Sequence, residues 1–276
     1  MSAHTSPTSG PKRVRVHHLA EAKARGEKIA VLTAYDAVTA AIFDAAGMDM
    51  LLVGDSIGNV MHGHASTIAV TVDEMLPAAR AVARTAQRAF VVVDLPFGSY
   101  EAGPQQALET AVRVFKETGA DGVKLEGGAR SAAQIRALTD AGIPVVAHLG
   151  YTPQSENLLG GPRVQGRGDD AVERLAADAQ AVEDAGAVAV VLEMVPTDVA
   201  ARITEIVRIP TIGIGAGPHC DGQVLVWTDM AGMTSWSPRF ARRYAELGDV
   251  LQRAAEDYVA EVKDSSFPDA EHSFEK

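Results

Sequence analysis

A single cysteine, Cys220, stands in a chain of 276 residues. No internal disulfide framework is available, and a reducing compartment is expected. No stretch approaches the roughly 18 apolar residues that a membrane-spanning helix needs. The opening MSAHTSPTSGPKRVRV lacks the apolar core of a secretory leader. Basic charge is also scarce: 25 Lys and Arg stand against 36 Asp and Glu, a formal charge of −11, so a nucleic-acid surface is not expected. These shortages point to a cytoplasmic protein that acts on small molecules, without nucleic-acid or membrane partners. The Ser, Thr, Pro and Gly of residues 1–14 read as a flexible tail, and PKRVR as a short solvated run.

What is present is a chain 47% hydrophobic with 25 glycines, enough to fill a sizeable core. Eight β-rich runs recur, at 29–36, 48–56, 90–96, 122–128, 144–150, 187–195, 210–217 and 223–230. Helix-prone stretches lie between them, among them VDEMLPAARAVARTA, PQQALETAVRVFKETG, SAAQIRALTDAG and AVERLAADAQAVEDAG. Several end in glycine, as helix C-termini do. This alternation predicts repeated βα units around a parallel sheet. Eight units favour a (β/α)8 TIM barrel over an open doubly wound sheet. The expected organisation is one catalytic barrel domain over 15–276, with a helical extension at its C-terminal end. Two irregularities stand out. Runs seven and eight are too close for a full helix between them, and the loop IGNVMHGHASTIAVT after the second run is long, as functional loops often are.

The ends of the runs carry the chemistry. Asp36, Asp55 and Asp94 end the first three; Lys124 and Glu126 lie near the end of the fourth, His148 of the fifth and Glu193 of the sixth. Any one could be a turn or cap residue. In a barrel, though, these ends meet on the rim where active sites are built. Converging carboxylates must be protonated, paired or bound to a cation. Asp55, Asp94 and Glu126 offer oxygen ligands only, which favours Mg2+ over zinc. Lys124, two residues before Glu126, shares its face of the strand and suits the carboxylate of an anionic substrate. His148 reads as a hydrogen-bonded structural residue or as a base. Glu193 reads as a partly desolvated general base or as the acid that opens the next helix. GIGAG, at 213–217, reads as a tight turn or a phosphate loop, and Cys220 has no evident base partner.

The motifs TAYD, VGDSIG, DLPF, VKLEGG, HLGYTPQS, VQGRG, VLEMVP, IGIGAG and EHSF, in this order, cover nearly the whole chain after the tail. Together they resemble the ketopantoate hydroxymethyltransferase family. The resemblance implies a barrel of the phosphoenolpyruvate/pyruvate-like type. It implies transfer of a one-carbon unit from 5,10-methylenetetrahydrofolate to 3-methyl-2-oxobutanoate, giving 2-dehydropantoate on the way to pantothenate. By motif, Asp55, Asp94 and Glu126 would be the Mg2+ ligands, and Asp55, Ser56, Asp94 and Lys124 would contact the keto acid. Glu193 would be the general base and His148 a neighbour of the substrate. A large homo-oligomer, typically a decamer, is implied as well. Ala65 departs from the family's usual Asp, and GPHCDG from a plainer turn. Metal-dependent lyases of the same barrel type are the nearest alternative, but those resemble one another in a mobile loop with a catalytic cysteine, and Cys220 lies after the seventh run.

Overall fold

The computed structural model describes residues 12–274. Their contacts fall into two compact units, one up to Leu225 and one from Val226 onward. The first is a closed barrel of eight parallel strands in sequence order. They are β1 (Ile29–Thr33), β2 (Met50–Val53), β3 (Phe90–Asp94), β4 (Gly122–Glu126), β5 (Val145–Gly150), β6 (Ala189–Glu193), β7 (Thr211–Ile214) and β8 (Gly222–Leu225). β2 to β7 are buried almost throughout, because one face lines the barrel interior and the other lies under helices.

The helices of this unit are α1 (Val16–Arg25), α2 (Ala37–Ala45), the short α3 (Ile57–Val60), α4 (Val72–Thr85), α5 (Pro104–Thr118), α6 (Ala132–Asp140), the short α7 (Glu156–Leu159), α8 (Asp169–Asp184) and α9 (Thr197–Ile206). α4 opens on a capping box. Thr71 accepts from the Glu74 amide, and the Glu74 carboxylate accepts from the Thr71 amide at 2.7 Å. The inner faces of α5 and α8 repeat Ala107, Ala111 and Val114, and Leu175, Ala179 and Val182, at helical spacing. As expected, no helix separates β7 from β8. Closure there depends on Gly222: a Cβ at this position would sit 2.5 Å from the Ile29 carbonyl oxygen on the neighbouring strand.

Three features differ from expectation. Run 223–230 is not one strand: β8 stops at Leu225, and Trp227–Ala231 is a helix, α10. A short apolar run does not distinguish the two states. Helix α1 was not legible, since only Leu19 of VHHLAEAKAR is buried and no apolar stripe marks it. Residues 1–11 of the expected tail lie outside the described residues, but Arg13 and Val14 are anchored. Arg13 donates to Asp121 at 2.7 Å and to the Ala86 carbonyl at 2.8 Å, and the Val14 amide donates to the Arg88 carbonyl at 2.7 Å. In the second unit, α10 ends at Gly232, and α11 (Leu247–Asp264) follows with none of its residues buried.

Candidate active site

Strand register assembles the site. Lys124 and Glu126 are two residues apart on β4 and so share its inward face. Asp94, the last residue of β3, is paired with Lys124, and Glu126 is paired with His148 on β5. One strand further, Gly150 is paired with Glu193. Asp55 lies two residues past the end of β2, and its amide donates to Asp94 Oδ2 at 3.0 Å. This contact needs glycine at the preceding position: a Cβ on Gly54 would lie 2.8 Å from Ser56 Oγ and 3.4 Å from Asp94 Oδ2. The expected residues Asp55, Asp94, Lys124, Glu126, His148 and Glu193 thus meet at the C-terminal ends of β2 to β6, and the first five are each at most 5% exposed.

Five buried ionisable groups in one place must neutralise one another. Lys124 Nζ donates to Asp94 Oδ1 at 2.5 Å. Burial acts to discharge Lys124, but Asp94, Asp55 and Glu126 outweigh it and hold the ammonium above its ordinary range. Asp55 is pushed the other way, up to about 7, by burial first and the Asp94 charge second. His148 spans two carboxylates, with Nδ1 3.3 Å from Glu126 Oε1 and Nε2 3.2 Å from Glu193 Oε2, although neither ring nitrogen is aligned as a hydrogen bond. Burial and Lys124 act to lower its pKa. The two carboxylates prevail, and it rises to about 9.

Three residues that sequence reasoning gave no role belong to the cluster. Gln154 donates to Asp55 Oδ2 at 2.8 Å and to the Leu95 carbonyl at 3.0 Å, while its amide donates to Glu126 Oε2 at 3.1 Å. Tyr100 donates to Gln154 Oε1 at 2.5 Å and accepts from the Glu126 amide at 3.2 Å. Tyr35 and Ser56 share a hydrogen bond of 2.8 Å. Each lies in or beside a motif already noted, yet none is charged, so none stands out as a charged residue at a strand end. Asp36, in contrast, does not join the site. It caps α2, accepting from the amides of Val38 and Thr39. The GIGAG segment supplies the last two residues of β7 and the turn after it, where Gln223 Nε2 donates to the Gly217 carbonyl at 2.9 Å. Cys220 is buried, and burial raises its pKa, so it is a packed thiol and not a poised nucleophile.

Asp55, Asp94 and Glu126 fit a hard divalent cation. All three offer oxygen only, and Glu126 Oε1 is buried without an aligned hydrogen-bond donor. Among the described residues, the sole trio whose ligand atoms all fall within 4.8 Å of one another lies elsewhere, at His62, His64 and Glu74. The oxygen-only donors of Asp55, Asp94 and Glu126 suit an ion that keeps waters among its ligands, as Mg2+ does.

Solved structures with the same architecture include 2,3-dimethylmalate lyase, a PEP mutase/isocitrate lyase superfamily member (TM-score 0.61, 18% identity, 95% of this chain and 93% of that one). Another is phosphonopyruvate hydrolase complexed with oxalate and Mg++ (TM-score 0.58, 13% identity, 94% and 93%). At these identities the likeness is one of fold: these proteins share the closed barrel of eight parallel strands expected from the sequence. Sequence relatives are far nearer. Proteins named 3-methyl-2-oxobutanoate hydroxymethyltransferase are 62% identical in Leifsonia xyli subsp. xyli, over 99% of this chain and 98% of the relative. In Saccharopolyspora erythraea the figure is 60%, over 96% and 90%; in Mycobacterium tuberculosis (strain H37Rv) it is 58%, over 99% and 97%. The model of the family described as ketopantoate hydroxymethyltransferase matches residues 13–270, a span that contains the barrel and every residue of the buried cluster. On that match, and on identity sustained along the whole chain, this protein belongs to the ketopantoate hydroxymethyltransferase family.

Proposed function

We propose that the protein is an enzyme that transfers a hydroxymethyl group from 5,10-methylenetetrahydrofolate to 3-methyl-2-oxobutanoate, giving 2-dehydropantoate in pantothenate biosynthesis. The observation that carries this reading is the placement of Glu193. It is the one acid of the cluster with appreciable exposure, 16% of its side chain, and it lies beside His148 at the edge of a buried carboxylate set. A keto acid bound over Asp55, Asp94 and Glu126 would present its C3–H bond to such a carboxylate.

The residues divide the work as follows. Asp55, Asp94 and Glu126 would hold Mg2+, whose chemistry when bound is that of a Lewis acid toward the keto oxygen. Lys124 supplies positive charge for the substrate carboxylate, and its ion pair with Asp94 keeps the ammonium in place beforehand. Ser56, oriented by Tyr35, donates to the keto acid. Glu193 takes the C3 proton, and the electron pair left behind makes C3 the nucleophile. Water cleaves the two C–N bonds of the folate methylene, so that the carbon is attacked as formaldehyde. Its C=O π bond breaks, its oxygen takes up a proton as the new hydroxyl, and tetrahydrofolate leaves. His148, in contact with both Glu126 and Glu193, holds the base carboxylate at its distance from the cation site. Gln154 and Tyr100 fix the orientation of Asp55 and Glu126 through the hydrogen bonds already described.

The barrel is the catalytic domain in this reading, and the segment from Val226 onward is its helical extension. The protein works in the cytoplasm as a homo-oligomer, a decamer by family resemblance. α11 supports self-association, because Leu247, Val250, Leu251, Tyr258 and Val262 are exposed at helical spacing. Incubation with 3-methyl-2-oxobutanoate, methylenetetrahydrofolate and Mg2+ is expected to yield, by mass spectrometry, a folate-dependent product heavier by CH2O, a hydroxymethyl group in place of the C3 hydrogen. Cleavage of the keto acid, or no product with all three present, overturns the reading.

A further inference from the structure

The long loop between β2 and α4 carries a second cluster, chemically unlike the first. His62 and His64 flank Gly63 in the loop, and Glu74 lies in the first turn of α4. Glu74 uses Oε2 for the capping box, accepting from Thr71 N at 2.7 Å and Thr71 Oγ1 at 2.8 Å. Those bonds hold its carboxyl below the usual range. The other oxygen, Oε1, faces the two imidazoles, 3.8 Å from His62 Nδ1 and 3.5 Å from His64 Nε2. His64 Nε2 is screened from solvent and has no aligned hydrogen-bond partner. All three ligand atoms lie within 4.8 Å of one another.

We propose that His62, His64 and Glu74 form a divalent-cation site of the zinc class, which ties the loop after β2 to helix α4. Two imidazoles and one carboxylate are borderline donors, suited to Zn2+ and not to Mg2+. Tetrahedral Zn2+ with bonds of about 2.0–2.1 Å spaces its ligands roughly 3.3 Å apart. The His64–Glu74 separation of 3.5 Å is close to that already, and the exposed His62 ring has room to close the remainder. The loop is also pinned before any ion arrives. Asn59 Nδ2 donates to the His64 carbonyl at 2.9 Å, and the His64 amide donates to the Gly58 carbonyl at 2.8 Å. A fourth position is left for water, and two ligands sit on the loop that begins at Asp55 and Ser56. The bound ion would therefore fasten that loop to the helix beside it.

Chelator-treated full-length protein, saturated with Mg2+ to fill the acidic centre, is titrated with Zn2+ by calorimetry and with Co2+ by visible absorption. One equivalent of Zn2+ per chain is expected, together with the strong visible bands of low-coordinate Co2+. His62→Ala and His64→Ala are each expected to weaken binding by at least about 100-fold, since loss of a hydrogen-bonded neighbour of a ligand alone costs about 10–100-fold. Asp94→Asn is expected to leave it unchanged. His62 is exposed, so its variant is expected to melt like the parent without zinc, which separates a lost ligand from a lost fold. Absence of the equivalent in the Mg2+-saturated parent overturns the proposal. So does an equivalent that survives both histidine substitutions, or one that Asp94→Asn removes, which would place the ion in the acidic centre.

Discussion

Burial and the neighbouring Asp94 charge hold the Asp55 carboxyl near 7, well above the 3.8 of an unburied aspartate. Because the folded value is the higher one, protonation favours the fold. That contribution is fully present below about pH 4 and is lost as pH rises through about 7. Asp55→Asn removes the charge, so without metal it is expected to melt above the parent at about pH 8 and close to it at about pH 4. Thermal melts in chelator check this, and a parent that stays the more stable at the higher pH would contradict it. The same substitution is expected to abolish Mg2+-dependent turnover, because the site trades stability for a grip on the ion. The proton-abstraction role is separable. With Mg2+ in heavy water, Glu193→Gln is expected to slow deuterium exchange into 3-methyl-2-oxobutanoate by about 10²–10⁴, the usual worth of a positioned base. Undiminished exchange would move the role to His148. At this scale, charge was the legible signal. Asp55, Asp94, Lys124, Glu126, His148 and Glu193 all announce themselves as polar residues after apolar runs, whereas Gln154 and Tyr100 act through hydrogen bonds that only folding assembles.

The elements depend on quieter polar contacts at the opposite end of the strands. Asp44, near the end of α2, accepts from the amides of Gln87, Arg88 and Ala89 at 2.9, 3.1 and 2.7 Å, and so shapes the turn into β3. Asp44→Ala would leave three backbone donors to find water or go unpaired. The expected cost is about 1.5–3 kcal/mol, the worth of a hydrogen bond to a charged group, read from urea melts. Turnover at permissive temperature is expected to stay near normal, since the turn enters β3 at Phe90 while the site begins at the other end of that strand, at Asp94. Equal loss of activity and stability would show that the two ends are coupled. Strands and amphipathic helices were legible because burial imposes a period, as Met75, Ala79 and Val82 do in α4. Helix α1 and the split of run 223–230 were not. The first buries a single leucine, and the second joins a strand to a helix with no polar break between them.

For the whole molecule, closure of the barrel sets the cost of the site. Eight parallel strands leave no edge to open, so carboxylates brought to the ends of β2, β3 and β4 cannot separate to relieve their repulsion. The closed barrel was readable from eight repeated units. The buried network was not, because it joins residues as distant in sequence as Asp55 and Gln154. A rigid, self-repelling site is one that a cation stabilises strongly. Mg2+ at about 100 times its dissociation constant adds about 2.7 kcal/mol to the stability of a protein that binds it only when folded. For a chain of this size that is a rise of roughly 5–11 °C in Tm, at about 2–4 °C per kcal/mol. The parent protein is therefore expected to show a saturable Mg2+-dependent rise in Tm of that order, checked by differential scanning fluorimetry against chelator. Asp94→Ala is expected to show almost none, although Lys124, left without its partner, lowers the starting Tm. The zinc-class site at His62, His64 and Glu74 gives an internal control: His62→Ala keeps the Mg2+ response in full. A parent Tm indifferent to Mg2+, or an undiminished rise in Asp94→Ala, would remove Asp55, Asp94 and Glu126 from the role of cation site.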